Sequence, residues 1–328
     1  MNLFRHIRQR LLYKSALKNR RDRIRDENLA LIDHLIETFG EQIPYLTSYR
    51  HKLVPLIQAA GRYFDKLINL IPGPVALDPD LWDRDPVVHS MFVSGKEAGG
   101  LIAASKPLQR FFRDSAVNAA CALLTAQKRE KSVSVSEQTG EIFRRDVMKK
   151  AVFFEGHRIT APRDTLAKSR LEVRYGLFSD LFAMAAEKIS EINEMKARLE
   201  AEHDELAAKM AFYAEGSDQQ KEFGVIHDEV EGKIKTLGKS LSSPGDYIAH
   251  LRELLREPER QISAGSVFLK LDRMGIVAND SSAKRIDEFS LAEFELSSGK
   301  KWVATWVSVG RTAVPAGPLP DGGKGGSR

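Results

Sequence analysis

A histidine-acid triplet that occurs twice is the pattern in this sequence best suited to chemistry. His203-Asp204-Glu205 and His227-Asp228-Glu229 are equidistant from residue 215, beside the helix-breaking sequence Gly216-Ser217-Asp218. If the chain reverses there, the two triplets face each other. Glu200 precedes His203 by three residues, a spacing found in di-metal helical bundles. Gly224 stands where the second such Glu would be, so we predict a solvated charged face and no metal ligands.

Three other segments carry reactive groups, and each has a simpler structural explanation. Gly95-Lys96 lacks the glycine spacing and the following Ser or Thr of a phosphate-binding loop, which favours the start of a helix. Asp83, Asp85 and His89 suit acid-base chemistry, but loops commonly collect acidic residues. Cys121 lies among apolar residues, without the cations that stabilise a thiolate. We therefore assign no catalytic residue and no cofactor.

The composition is that of a chain that buries a core and keeps its thiol reduced. Of 328 residues, 42% are hydrophobic and one is cysteine, which excludes an internal disulfide and favours the cytoplasm. The longest uncharged run, residues 115–127, is shorter than the ~20 apolar residues that a membrane-spanning helix needs. We therefore expect no transmembrane segment.

Positive charge is concentrated at the N-terminus. Residues 1–27 contain nine Lys or Arg and three acids, a net charge of +6, whereas the whole chain carries +5. On a helical wheel the first three turns present an apolar face of Leu3, Phe4, Ile7 and Leu11, and the same face then becomes basic. The residues predicted to contact an anionic surface are Arg5, Arg8, Arg10, Lys14, Lys18, Arg20, Arg21 and Arg25.

Three interpretations of this basic arm remain open. An apolar wedge followed by cations suits the interface of an anionic membrane. The same cations suit nucleic-acid phosphates, although only Tyr13 is available for stacking on bases. In the third interpretation the arm is solvated, or docks on its own protein through Leu3, Ile7 and Leu11.

The apolar spacing elsewhere predicts helices followed by short strands. Residues 28–39 and 43–71 show the helical three-and-four spacing, with a kink at Pro55, and a further helix is predicted over about 106–129. Alternating residues predict a small β-meander at 132–160, with turns at 138–140 and Gly156. The strands predicted nearer the C-terminus cover residues 267–271, 288–296 and 301–309.

The most regular pattern runs from Pro162 to Tyr213 and resumes from Phe223 to Leu241. The break at Gly216 between two heptad patterns predicts two antiparallel helices packed along one seam. Polar residues at seam positions usually set register or partner choice. The predicted interaction seam of the first helix consists of Phe182, Ile189, Lys196, His203 and Met210.

Together these patterns predict a mainly α fold with a minor β component. A helical bundle would form the base, carrying a projecting antiparallel coiled-coil-like hairpin and a small antiparallel β-sheet that joins the meander to the C-terminal strands. The predicted regions are a basic arm (1–27), a helical region with the meander (28–163), the hairpin (164–241), a short helix with the C-terminal strands (242–309) and a disordered tail (310–328).

We expect a non-enzymatic scaffold or adaptor that contacts a protein partner through the hairpin. Its basic arm would approach an anionic membrane surface, which places the protein in the cytoplasm or peripherally at the membrane. Two other classes remain open. One is a nucleic-acid-binding protein that uses the arm, and the other is an enzyme whose catalytic residues are distant in sequence.

Overall fold

The computed structural model describes residues 25–139, 142–278 and 286–314. These form two compact units, each built from two separate stretches of chain. The first, helical unit contains the described residues up to Arg62 together with Tyr175–Pro258, and the second contains Tyr63–Arg174 and the residues from Glu259 onward. The prediction of a disordered tail at 310–328 is wrong for its first residues, because Gly310 ends a strand and Arg311–Ala313 form a 3₁₀ turn. The rest of that tail lies outside the described residues.

The helical unit begins with α1 (residues 25–39), whose Leu31, Ile32, Leu35 and Phe39 are buried. These positions follow the predicted spacing, and the helix ends before Gly40, whose amide still donates to the carbonyl of Ile36 at 2.8 Å. The prediction of a helix at 28–39 is therefore confirmed.

The helix predicted at 43–71 is interrupted near its start. Tyr45 has a positive φ of 66°, and a short 3₁₀ turn at Leu46–Tyr49 precedes α2 (Arg50–Asn69). Pro55 lies in the second turn of α2. Three further helices contribute to this unit: α6 (Leu166–Phe212), α7 (Asp218–Ser240) and α8 (Pro244–Arg256).

The second unit is built on one six-stranded sheet. Five strands lie in the order β3-β2-β6-β5-β4, all antiparallel, and the short β1 pairs in parallel with β6. Their bounds are β1 Val75–Ala76, β2 Ala119–Thr139, β3 Ile142–Arg163, β4 Ile262–Asp272, β5 Ile286–Leu296 and β6 Lys301–Gly310. The expected joining of both strand regions into one sheet is confirmed.

The predicted fold class is nevertheless wrong, because the β component is large. β2 and β3 contain 21 and 22 residues, so the sheet is neither small nor minor. The helix predicted over 106–129 ends at Asp114, and residues 119–126 pair with β6. These residues are rich in Ala and Leu and are mostly buried, and such an apolar run cannot be distinguished from a helix by periodicity alone.

β2 and β3 form one continuous hairpin and not the predicted meander. Its register shifts at three places, and each bulge contains a residue with positive φ on β3: Asp146, Gly156 and Ala161. Gly156, predicted as a turn between strands, is therefore one of these bulges. Bulges of this kind increase the local twist of a strand pair.

The sheet curls until its two edges meet. The amide of Val152 on β3 donates to the carbonyl of Gly275 after β4, and Val277 donates back to Lys150, both at 2.8 Å. Helices α3 (Pro86–Met91), α4 (Gly95–Ala104) and α5 (Lys106–Asp114) contribute their buried residues to the same apolar core as the strands.

Gly73 allows the chain entering β1 to approach β6 closely. Its φ is +102°, and a Cβ at this position would overlap the carbonyl oxygen of Trp306. The amide of Trp306 donates to the carbonyl of Pro72 at 2.8 Å, which fixes this approach. Only glycine meets both the steric and the conformational requirement.

We predict that Gly73→Ala lowers the free energy of unfolding by about 1–3 kcal/mol, the usual cost of strained backbone. Gly100→Ala is the matched control, because Gly100 lies inside α4 with open space around its Cβ position. That change should raise stability by about 0.5–1 kcal/mol. Chemical denaturation measures both, and an unchanged midpoint for Gly73→Ala would contradict the close approach.

Candidate functional site

The helical hairpin of α6 and α7 is the strongest candidate for a functional surface, and its turn is fixed locally. Gly216 has a φ of +79°, which favours glycine. Its amide donates to the side-chain oxygen of Gln220 at 2.6 Å. The hydroxyl of Ser217 accepts from the Gln220 amide at 3.2 Å and so caps α7. These contacts reverse the chain at the predicted break.

Side chains near the turn show that the two helices are antiparallel and in contact. The rings of Tyr213 and Phe223 have centroids 5.6 Å apart, and those of His203 and His227 are 4.1 Å apart. The second pair confirms that the histidines of the two triplets face each other, whereas Asp204 and Asp228 are exposed to solvent.

The five predicted seam residues lie in two different environments. Phe182 and Ile189 are buried, and the ring of Phe182 lies 5.9 Å from that of Phe39 on α1. Lys196, His203 and Met210 are only partly buried. Phe182 and Ile189 therefore belong to the core of the helical unit, and the other three residues lie along the α6–α7 hairpin.

The hairpin seam beyond residue 193 is thin and partly polar. Leu206 and Val230 are the only buried residues between 193 and 241, all of which the structure describes. Acids surround the two histidines: Asp204 and Asp228 lie 3.5 and 3.7 Å from the adjacent imidazoles. Burial of so little apolar surface stabilises the hairpin weakly.

Large apolar side chains are exposed near the turn. We call Phe212, Tyr213, Val225 and Ile226 the apolar end of the hairpin; their exposed fractions are 92%, 41%, 71% and 38%. The surrounding surface is acidic, since residues 191–235 contain twelve acids and six Lys or Arg, a net charge of −6. The heptad pattern predicts Tyr213 and Ile226 in the seam, whereas the structure leaves both exposed; Phe212 and Val225 lie outside that pattern.

The basic arm lies almost entirely outside the described residues. Arg25 is the first described residue and is exposed at the start of α1. The remaining predicted contacts that the structure does not describe are Arg5, Arg8, Arg10, Lys14, Lys18, Arg20 and Arg21.

The other reactive segments have structural roles. Gly95 begins α4, and a Cβ there would overlap the carbonyl oxygen of Pro79, while the Ser94 hydroxyl accepts from the Glu97 amide at 3.3 Å. Asp85 caps α3 by accepting from the amide of Val87 at 2.9 Å. Burial raises the pKa of the Cys121 thiol on β2, and so does the nearby charge of Asp164. The thiol therefore stays protonated and is a poor nucleophile.

A buried pair of side chains joins α3 to β5. One of its partners is His89, which the sequence placed with Asp83 and Asp85 in an acidic loop. Nδ1 of His89 contacts a carboxylate oxygen of Asp287, and both side chains are less than 7% exposed. The ring of His89 also stacks on Trp82 at 5.1 Å. The partners are 198 residues apart, so no local pattern links them.

A shallow cleft beside α5 offers less chemistry than its charges suggest. It has a volume of about 540 Å³ and is lined by Arg110, Asp114, Arg163 and Glu172 among others. Arg163 binds Glu172 at 2.7 Å, so these two charges neutralise each other. Because these two charged groups bind each other, the lining of the cleft does not indicate a particular reaction.

The described residues contain neither a candidate metal site nor a membrane-spanning helix. No group of three or more His, Cys, Asp or Glu side chains there is placed to hold a metal ion. None of the described helices is sufficiently long and apolar to cross a membrane.

His157 is a buried imidazole whose environment disfavours the charged form. Its ring stacks on Phe92 at 4.6 Å, and its Nε2 is buried without a hydrogen-bond partner among the described atoms. Burial lowers the pKa of His157 below the ordinary value of an imidazole, although Glu97, 4.0 Å away, and a Met91 backbone hydrogen bond partly oppose this shift.

We predict that His157 makes the protein less stable in mild acid. Below about pH 6.5 the unfolded chain binds a proton that the folded protein does not. The free energy of unfolding therefore decreases as the pH is lowered, by at most ~1.4 kcal/mol per pH unit. His157→Phe should remove this part of the pH dependence, measured by denaturation between pH 7.5 and 5.5. His34→Asn, at an exposed position on α1, is the control and should follow the wild-type profile.

Comparison with known proteins gives no relative for this chain. No protein-family model matches the sequence, and neither a curated protein nor a solved structure matches it.

Proposed function

We propose that the protein is a non-enzymatic scaffold that binds a partner protein through the α6–α7 hairpin. The observation that carries this proposal is the exposure of the apolar end, with Phe212 92% and Val225 71% exposed. Large apolar side chains exposed close together on a protein surface commonly mark a contact site, and the four of the apolar end lie between residues 212 and 226, on either side of the turn. Aromatic residues such as Phe212 and Tyr213 are also among those enriched in protein interfaces.

The thin seam supports a docking role for the hairpin. Because only Leu206 and Val230 are buried along it, a partner covering Val225 and Ile226 would add apolar burial that the isolated hairpin lacks. The acidic surroundings would give the contact specificity for a basic partner. This role requires no chemistry from the histidine triplets.

We further propose that the basic arm brings this scaffold to an anionic membrane surface in the cytoplasm. The support is the charge of +6 over residues 1–27 and the apolar face of Leu3, Phe4, Ile7 and Leu11. Each Lys or Arg near such a surface contributes about 1 kcal/mol. This part of the proposal rests on the sequence alone.

Site-specific photo-crosslinking tests the hairpin contact. A photoreactive phenylalanine analogue at Val225 should form adducts with a protein partner in an extract of the native cell. The analogue at Lys239, an exposed α7 position away from the apolar end, is the control. Phe212→Ser should reduce the Val225 adducts at least severalfold, because an exposed aromatic often carries much of an interface's energy.

Circular dichroism would check that Phe212→Ser leaves the helices intact. Equal adducts at positions 225 and 239, or adducts unaffected by Phe212→Ser, would argue against the hairpin as the binding surface.

Vesicle sedimentation tests the arm. The full chain should bind vesicles containing phosphatidylserine but not pure phosphatidylcholine, and deletion of residues 2–24 should abolish this binding. Replacing Leu3, Ile7 and Leu11 with Gln keeps every charge and should weaken binding through the lost apolar wedge. Undiminished binding after the deletion would remove the membrane proposal, and salt-dependent binding to labelled DNA or RNA instead would favour the nucleic-acid class.

A further inference from the structure

A groove in the helical unit is lined by acids that bind no other described side chain. It has a volume of about 540 Å³ and lies between the segment after α1 and one face of α6. Glu41 and Glu187 line it and are exposed, and neither forms a hydrogen bond or ion pair with any residue that the structure describes. Ala186 and Ile189 also line it and are buried. The groove therefore combines an apolar base with uncompensated negative charge.

The charge is negative on both sides of this groove. Residues 37–42 contain two acids and no Lys or Arg, and residues 183–194 contain three acids and one lysine, a net charge of −4 over the two stretches. That lysine, Lys188, binds Glu191 at 3.1 Å, so it does not neutralise Glu187. Phosphate groups are repelled by such a surface, whereas a cationic segment with apolar side chains fits it.

The N-terminal arm is the segment of this chain with that chemistry. Its first 14 residues contain four Lys or Arg and no acid, a charge of +4 that opposes the −4 around the groove. Large apolar residues such as Leu3, Phe4 and Ile7 lie among these cations. We propose that residues 1–14 bind in the groove of their own chain, with their cations against the carboxylates and their apolar side chains over its base.

The length of the arm permits this contact whichever way α1 points. α1 begins at residue 25, and at ~1.5 Å per residue it rises ~21 Å to Phe39. Three further residues reach Gln42 in the groove lining and add at most ~11 Å, so Gln42 lies within ~32 Å of Arg25. Ten extended residues span ~33 Å. Residues 15–24 therefore suffice to bridge the distance, and residues 1–14 reach the groove.

Covalent attachment favours the arm of the same chain over any other basic segment. A short flexible tether holds its two ends at an effective concentration in the millimolar range. A contact too weak to form between separate molecules can therefore form within one chain. The docked arm would be withheld from a lipid interface, so an anionic surface and the groove would compete for it. This competition, unlike the docking itself, rests on the proposed membrane role of the arm.

Intramolecular crosslinking tests the docking. A photoreactive phenylalanine analogue replaces Phe4 in the full chain, and mass spectrometry locates its crosslinks in an equal mixture of isotopically light and heavy protein. The crosslinks should fall on residues 41–42 and 183–193 of the same isotopic chain, and they should decrease as the salt concentration rises.

Charge reversal in the groove provides the matched comparison. Glu41→Lys/Glu187→Lys should reduce the groove crosslinks severalfold, and adding Arg5→Glu/Arg8→Glu should restore them by exchanging the charges. Glu222→Lys/Glu253→Lys reverses two exposed acids that do not line the groove, and this control should leave the crosslinks unchanged. Circular dichroism verifies that every variant keeps its helices.

Vesicle sedimentation tests the competition. The groove variant Glu41→Lys/Glu187→Lys should bind phosphatidylserine vesicles severalfold more tightly than the control Glu222→Lys/Glu253→Lys, because its arm is free. Both variants add the same positive charge, so a general electrostatic effect would be equal in the two.

The outcomes separate this inference from the proposed function. Mixed-isotope crosslinks, crosslinks outside the groove, or equal crosslinking in the groove and control variants would overturn docking within one chain. Groove crosslinks in a chain that fails to bind vesicles would leave the docking intact and remove the membrane role. Groove crosslinks with equal vesicle binding by the two variants would overturn the competition.

Discussion

The packing of α6 in the core of the helical unit is the interaction on which the hairpin depends. The seam between α6 and α7 alone contributes little stability to it. Along the hairpin itself only Leu206 and Val230 are buried, too little apolar surface to hold two helices together strongly. α6 is a single helix of 47 residues, and Phe178, Phe182 and Ile189 anchor it in the core of the helical unit. Helix α7 therefore folds against a rod that is already fixed, which removes part of the entropic cost of pairing.

The polar residues of the seam contribute specificity more than strength. His203 contacts His227 at a position where a leucine would bury more surface. Shifting α7 by one heptad would place Ile234 beside that imidazole and disrupt the pairing of Tyr213 with Phe223. A polar residue at such a position fixes register at some cost in stability. The cost leaves the hairpin dependent on further contacts for its full stability.

Features set by local periodicity were predictable from the sequence, and features set by distant pairing were not. The helix at 28–39 and the reversal at Gly216 follow from apolar spacing and a helix breaker. The strand at 119–126 was mistaken for a helix because Ala and Leu favour helices, and only pairing with β3 and β6 makes it a strand. Likewise Asp287 is 198 residues from His89, so their buried contact has no local signal. The exposure of the apolar end was not predicted, because the heptad pattern assigns Tyr213 and Ile226 to the seam and does not include Phe212 and Val225.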